Sequence, residues 1–275
     1  MCKILQGDIW GRGTVCAKYI KAARNISYMS VPIGAGVIVQ SLYLMIDLFF
    51  VSRLGSDAVV GVTSTATATF LVGMFWQLFG VGAVSLIGRA LGAGSDAQAR
   101  IIFIHAGLMA VTSCAVVTIA GYMGGIHVLS GLASGEVAQR MGSSYLYGFM
   151  PGLALQIVIT VATFGLRAAG EPYGGLIAQC CSVPVNLILA PLLIFGVPGI
   201  NGLGTFGAGL ATTLATTVAT AIVLYRTVKR YRHFSLTGKG FHWESAIARR
   251  IISVGLPAGL EALVIYLYTG LMFWA

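Results

Sequence analysis

Seven stretches long and apolar enough to cross a lipid bilayer divide this 275-residue chain, at 27–51, 58–87, 101–126, 142–167, 173–197, 207–226 and 251–275. A spanning helix needs about 20 mostly apolar residues. Lipid offers no partner for an open backbone amide or carbonyl, so only helices and closed barrels can cross it. These stretches are too continuously apolar for the in-and-out alternation of barrel strands. The expected fold class is therefore all-α, a polytopic membrane protein. Composition agrees, with 57% hydrophobic and only 9% charged residues.

Lysine and arginine near helix ends favour the cytoplasmic side. With the N-terminus inside, the cytoplasmic set is Lys3, Arg12, Lys18, Lys21, Arg24, Arg89, Arg100, Arg167, Arg226, Lys229, Arg230, Arg232, Lys239, Arg249 and Arg250, leaving Arg53 and Arg140 outside. The net charge of +9 then follows from topology and from contact with anionic headgroups. No basic, aromatic-interleaved soluble segment supports a nucleic-acid partner. The expected setting is the plasma (inner) membrane, multi-pass, with a cytoplasmic N-terminus. Residues 1–26 lack the apolar core and cleavage site of a signal peptide. With Gly7, Gly11 and Gly13 they read as a mobile cytoplasmic tail. Neither the five cysteines (Cys2, Cys16, Cys114, Cys180, Cys181) nor the scattered histidines (His105, His127, His233, His242) show a metal spacing, a disulfide framework or a catalytic dyad.

Two carboxylates fall inside apolar segments. Asp47 lies between Leu42–Ile46 and Leu48–Val51, and Glu261 lies in the last span. A charge at membrane depth costs about 2.5 to 3.5 kcal/mol on insertion scales, so it is usually retained for a proton, an ion or a substrate. A second reading stands beside each. Asp47 is some 33 Å along a helix counted from Asn25, near the outer headgroup level, at about 1.5 Å per residue. Glu261 is close enough to the cytoplasmic end to snorkel or to pair with Arg249 or Arg250.

The segment Ala23-Arg24-Asn25-Ile26, followed by Pro32-Ile33-Gly34, recurs as Ala248-Arg249-Arg250-Ile251, followed by Pro257-Ala258-Gly259, at an offset of 225 residues. Membrane transporters are often built from repeated bundles with the substrate path between them. On that reading the last helix opens a second bundle. Gly88-Arg89-Ala90-Leu91-Gly92-Ala93-Gly94 and Leu166-Arg167-Ala168-Ala169-Gly170-Glu171-Pro172 read as helix-ending turns. Neither has the GK[ST] ending or strand context of a nucleotide loop.

From Arg24 onward, these features resemble the N-terminal half of a multidrug and toxic compound extrusion (MATE) transporter. The first span carries Pro32, Gln40, Asp47 and Phe50-Val51-Ser52-Arg53-Leu54-Gly55, and the second ends Ser85-Leu86-Ile87-Gly88-Arg89-Ala90-Leu91-Gly92-Ala93-Gly94. The fourth ends Leu166-Arg167-Ala168-Ala169-Gly170, the fifth holds Asn186 to Gly196, and the sixth opens Gly207-Ala208-Gly209-Leu210-Ala211-Thr212. The resemblance implies two six-helix bundles around a central cavity, with cation-driven export by alternating access. It implies a cation or proton coupling site at Asp47, Asn186 and Thr212, with Na+ as the possible metal there, and a second-bundle role for Glu261. Coupling runs on H+ or Na+, with no tightly bound cofactor. The aspartate that relatives often carry four residues after the asparagine is Ala190 here. One carboxylate makes a weaker sodium cage than two, which favours proton exchange.

Gln40, Tyr43, Met74 and Gln77 are the candidate substrate-cavity residues, suited by aromatic faces and thioethers to amphipathic organic cations. The expected domains are a tail at 1–26, a six-helix bundle at 27–228, a cytoplasmic linker at 229–250 and the first helix of a truncated second bundle at 251–275. The expected partners are a small amphipathic substrate, the bilayer, and a missing second bundle or another copy of the chain. A lipid-linked glycan flippase of the same superfamily and a membrane-embedded enzyme are the alternatives. The arginines at helix ends favour the exporter over the first, and the lack of a metal-ligand cluster, an acidic prenyl motif or a nucleophile dyad disfavours the second.

Overall fold

The computed structural model describes residues 7–130, 135–197, 200–230 and 243–274, with the side chains of 7–22 and some others left aside. The chain is built of helices: α1 (Gly7–Ser52), α2 (Ser56–Ser64), α3 (Ala66–Gly92), α4 (Asp96–Ser130), α5 (Glu136–Ala168), α6 (Tyr173–Phe195), α7 (Gly204–Arg230) and α8 (Ser245–Trp274). A two-residue antiparallel pair, β1 (Gly196–Val197) with β2 (Ile200–Asn201), closes the turn between α6 and α7. Among the described residues, six helices are long and apolar enough to span a membrane. The seventh expected span lies in α8, which is 30 residues long.

Three expectations change. The tail is not separate, because α1 is one continuous 46-residue helix from Gly7. Good helix formers, Ala17, Lys18, Lys21, Ala22, Ala23 and Arg24, favour helix just before the apolar span, and it continues back across Gly13, Gly11 and Gly7. The second span is broken at Thr65, whose amide and hydroxyl both bond the Val62 carbonyl, at 3.0 and 2.6 Å. The run Thr63-Ser64-Thr65 supplies hydroxyls that compete for helix carbonyls. Of the expected linker at 229–250, residues 231–242 lie outside the described residues, and α8 already begins at Ser245.

Both arginine-glycine turns end their helices as the sequence suggests. At Gly94 (φ 73°) and Gly170 (φ 83°) the chain enters the left-handed region that glycine tolerates. The following amides reach back five residues, Ser95 to Ala90 O and Glu171 to Leu166 O, each at 2.9 Å, and the glycine amides reach back three, Gly94 to Leu91 O and Gly170 to Arg167 O, each at 3.0 Å. That double bond satisfies the last carbonyls of α3 and α5.

α5 is the central post, packing against α7, α4, α3 and α2, while α1 rests chiefly on α6 and α8 on α3. Lipid tails are as apolar as leucine, so helices here associate by close contact and interhelical hydrogen bonds. Small residues permit that contact. A Cβ on Gly152 would lie 2.7 Å from Thr213 Cα, and one on Gly255 would overlap the Leu78 carbonyl in the α3–α8 seam. Burial reflects the arrangement: 6% of the most apolar stretch of α1 is buried, against 56% in α5.

Pro151 stands inside α5 and has no amide to offer the Tyr147 carbonyl. The Tyr122 hydroxyl of α4 donates to that carbonyl at 3.1 Å, with the Tyr122 and Tyr147 rings stacked. Beside it, Thr213 Oγ1 of α7 donates to Gly148 O at 2.6 Å and accepts from Gly152 N at 3.1 Å. One hydroxyl thus stands between the acceptor and the donor of a single helical turn, stitching α7 into the weakest point of α5.

Candidate functional site

Asp47 sits five residues before the end of α1, with Tyr43 one turn earlier on the same face. The carboxylate is 5% exposed, which removes it from bulk solvent. Tyr145 of α5 donates its hydroxyl to Asp47 Oδ2 at 3.0 Å. Thr212 of α7 approaches Oδ1 and Oδ2 at 3.4 and 3.3 Å, and Asn186 Nδ2 of α6 donates to the Thr212 oxygen at 3.3 Å. Four helices therefore converge on one acid. Among the described residues no basic side chain forms an ion pair with it.

Thr212 has one proton and two calls upon it. Its hydroxyl also lies 3.1 Å from Ala208 O in its own helix, so it can serve the carboxylate or the backbone, not both fully. Asn186 Oδ1 and Tyr43 Oη are buried and, among the described residues, make no hydrogen bond of regular geometry. Carboxylate, amide, threonine and phenol oxygens form a hard-oxygen set of the kind that suits an alkali cation as well as a proton. Among the described residues, no group of three or more His, Cys, Asp or Glu side chains forms a metal centre. Ala190, one turn after Asn186, is fully buried in an apolar cluster with Val51, Val62, Tyr145 and Ala208. A second carboxylate is thus replaced by packing.

Of the residues singled out from the sequence, Asp47, Asn186 and Thr212 come together, and Tyr43 joins them rather than a separate cavity. Gln40 is exposed and accepts from Gln179 Nε2 of α6 at 2.7 Å. Gln40 and Gln179 each lie seven residues before Asp47 and Asn186, so α1 and α6 run parallel with two polar rungs two turns apart. Met74 borders Gly259 in the α3–α8 seam, and Gln77 is half-buried on the same helix. Glu261 is exposed on α8, whose neighbours are α3 and α4, apart from the Asp47 cluster. Among the described residues it pairs with neither Arg249 nor Arg250.

Tyr145 and Gln179 were not foreseen. Tyr145 is one of eleven tyrosines and 98 residues from Asp47, with no local signal to mark it. Gln179 was legible only through its spacing from Asn186.

The MatE family model matches residues 32–192, more than half of the chain and all of α3 to α5. The chain belongs to the MatE family. A probable multidrug resistance protein NorM from Rhodopseudomonas palustris is 30% identical over 241 residues, covering 84% of this MatE chain and 49% of the relative. An FAD transporter from Shewanella oneidensis is 26% identical over 244 residues, covering 88% and 53%. The solved structure of a MOP superfamily transporter from Pyrococcus furiosus superposes with a TM-score of 0.78 at 25% identity, covering 87% of this chain and 52% of that one. A MATE structure in a bent conformation gives 0.79 at 26% identity, covering 88% and 53%. The chain spans about half the length of the relatives it matches. The MatE chain is a multi-pass helical membrane protein.

Proposed function

We propose that this MatE chain forms the ion-coupled half of an antiporter that exports amphipathic organic compounds by alternating access, with Asp47 exchanging the coupling ion. The observation that carries this reading is the burial of one carboxylate among Tyr145, Thr212 and Asn186 with no basic side chain paired to it among the described residues. Keeping an unpaired charge in that setting is costly, whereas a proton or a hard cation relieves the cost. Loading would change the bonding of the cluster. A protonated Asp47 donates where it formerly accepted, leaving the Thr212 hydroxyl free to return to Ala208 O. The rung holding α1 to α7 then changes strength with ion occupancy, which is the coupling that alternating access requires.

The proton is preferred as the coupling ion because Ala190 removes the second acid that a sodium cage would use. The N-terminus is cytoplasmic in this reading, in the plasma membrane, with a second bundle or another copy completing the cavity. Substrates are amphipathic organic cations, and the FAD transporter among the relatives makes a flavin nucleotide a necessary comparison.

The test uses proteoliposomes carrying this chain, alone and joined to a second bundle, with proton and sodium gradients imposed separately and ethidium and FAD as substrates. Proton-driven ethidium efflux that is lost in Asp47→Asn supports the reading. Efflux of full strength in that variant defeats it.

A further inference from the structure

A notch of about 90 Å³ opens where α3 ends, α4 begins and α8 passes both, lined by Leu86, Arg89, Ala90, Gln98, Ile102 and Arg250. Leu86, Ala90 and Ile102 are buried and form its floor, while Arg89, Gln98 and Arg250 are exposed and form its rim. Arg89 lies in the last turn of α3, Gln98 in the first turn of α4 and Arg250 in the early part of α8. Each polar group comes from a different helix.

We propose that Arg89, Gln98 and Arg250 bind the phosphate of an anionic phospholipid headgroup. Two guanidiniums present forked N–H donors suited to a phosphate, and an amide N–H₂ can add a third contact. Among the described residues neither arginine has an ion-pair partner, so both remain available. Asp96 shares the first turn of α4 but does not line the notch.

The source is a lipid rather than a soluble anion because the notch is amphipathic in the way a lipid is. Its charged rim lies at the ends of two spans, Val72–Gly92 and Asp96–Gly124, at the level where headgroups sit. Its floor is apolar. Basic pockets between helices at this depth take phosphate headgroups, and juxtamembrane arginines are drawn toward an anionic surface. A bound headgroup would join α8 to α3 and α4 at the seam already closed by Gly82 and Gly255. The glycine turn at Gly92-Ala93-Gly94 would then have a second purpose, holding Arg89 and Gln98 on one side of a short connection.

The experiment adds phosphatidylglycerol, phosphatidylcholine or inorganic phosphate to the purified full chain in neutral detergent, then measures lipid retained by native mass spectrometry and the midpoint of thermal unfolding. Phosphatidylglycerol is expected to be retained and to raise the midpoint, and phosphatidylcholine is not. Arg89→Gln and Arg250→Gln should each weaken the apparent affinity about tenfold, the scale of one charge-assisted contact. Arg249→Gln removes the same charge one residue away, outside the notch, and should leave it unchanged. All three arginines are exposed, so circular dichroism should show each variant folded. Equal retention of the two lipids, an equal loss in Arg249→Gln, or equal protection by inorganic phosphate would each overturn the assignment.

Discussion

Replacing Thr213 with valine isolates the stitch between α7 and α5, because valine keeps the shape and removes only the hydroxyl. The wild-type oxygen makes two interhelical bonds, to Gly148 O at 2.6 Å and from Gly152 N at 3.1 Å. Interhelical hydrogen bonds in membranes average about 0.6 kcal/mol and reach about 1.7. Two of them give an upper figure near 3 kcal/mol by that scale. Gly148 O and Gly152 N are also natural partners four residues apart, and once the hydroxyl leaves they can close on each other and recover part of the loss. The expected net cost is therefore about 1 to 2 kcal/mol, since one bond is recovered within α5. Equilibrium unfolding in mixed detergent micelles with increasing dodecyl sulfate reads this directly. Amide exchange along the α5–α7 contact supplies an independent signal, expected to quicken in the valine variant as α7 loosens. Thr213→Ser keeps the hydroxyl and should stay within a few tenths of a kcal/mol of wild type. A valine variant as stable as wild type, beside a weaker serine variant, would show that the methyl group matters and the hydroxyl does not.

Other substitutions separate the elements of the fold. Gly255→Val places atoms where the Leu78 carbonyl lies and should cost about 3 kcal/mol or more, read as loss of folded protein after detergent extraction; normal yield and stability would refute the close α3–α8 approach. Arg226→Ala strands the Glu171 carboxylate, which Arg226 pairs from α7. Because both side chains retain some exposure, about 1 to 3 kcal/mol is expected, below the full cost of breaking a buried pair; adding Glu171→Gln should restore part of it, and strictly additive losses would argue against the pair. Tyr145→Phe removes the 3.0 Å donor to Asp47 and should slow proton-driven efflux about tenfold, the worth of a hydrogen bond to a charged group. Tyr122→Phe, away from that cluster, should transport normally, and equal slowing in both would deny Tyr145 a special place.

The spanning helices were legible because lipid imposes a length and an apolarity that few other contexts require. The acid, amide and hydroxyl of the site were legible only as a set, from Asp47, Asn186 and Thr212 on three separate helices. What escaped notice came from tertiary choice. Nothing near Tyr145 distinguishes it from its neighbours, and its partner is set by where α5 crosses α1. The break at Thr65 had a local cause in the hydroxyl run, but apolar length concealed it. α1 starts at Gly7, but its apolar span begins at Ile26, so the count from Asn25 still sets Asp47 toward the far end of that span, five residues before α1 ends. His105 was one scattered histidine in the sequence. In the fold it is fully buried, its Nε2 accepts from the Glu244 amide at 2.9 Å, and its ring stacks on Trp243 at the entrance to α8.

The sparse burial of α1 makes it the element that moves most cheaply. A helix set deep among neighbours must displace many side chains to shift, but one lying on the rim of a bundle is restrained mainly by its few specific ties. Here those include a glutamine pair at one height and the acid-centred contact two turns further on. Weakening either tie would let the helix pivot about the other. The least buried of the described spans is thus the one whose position those two ties would govern most directly.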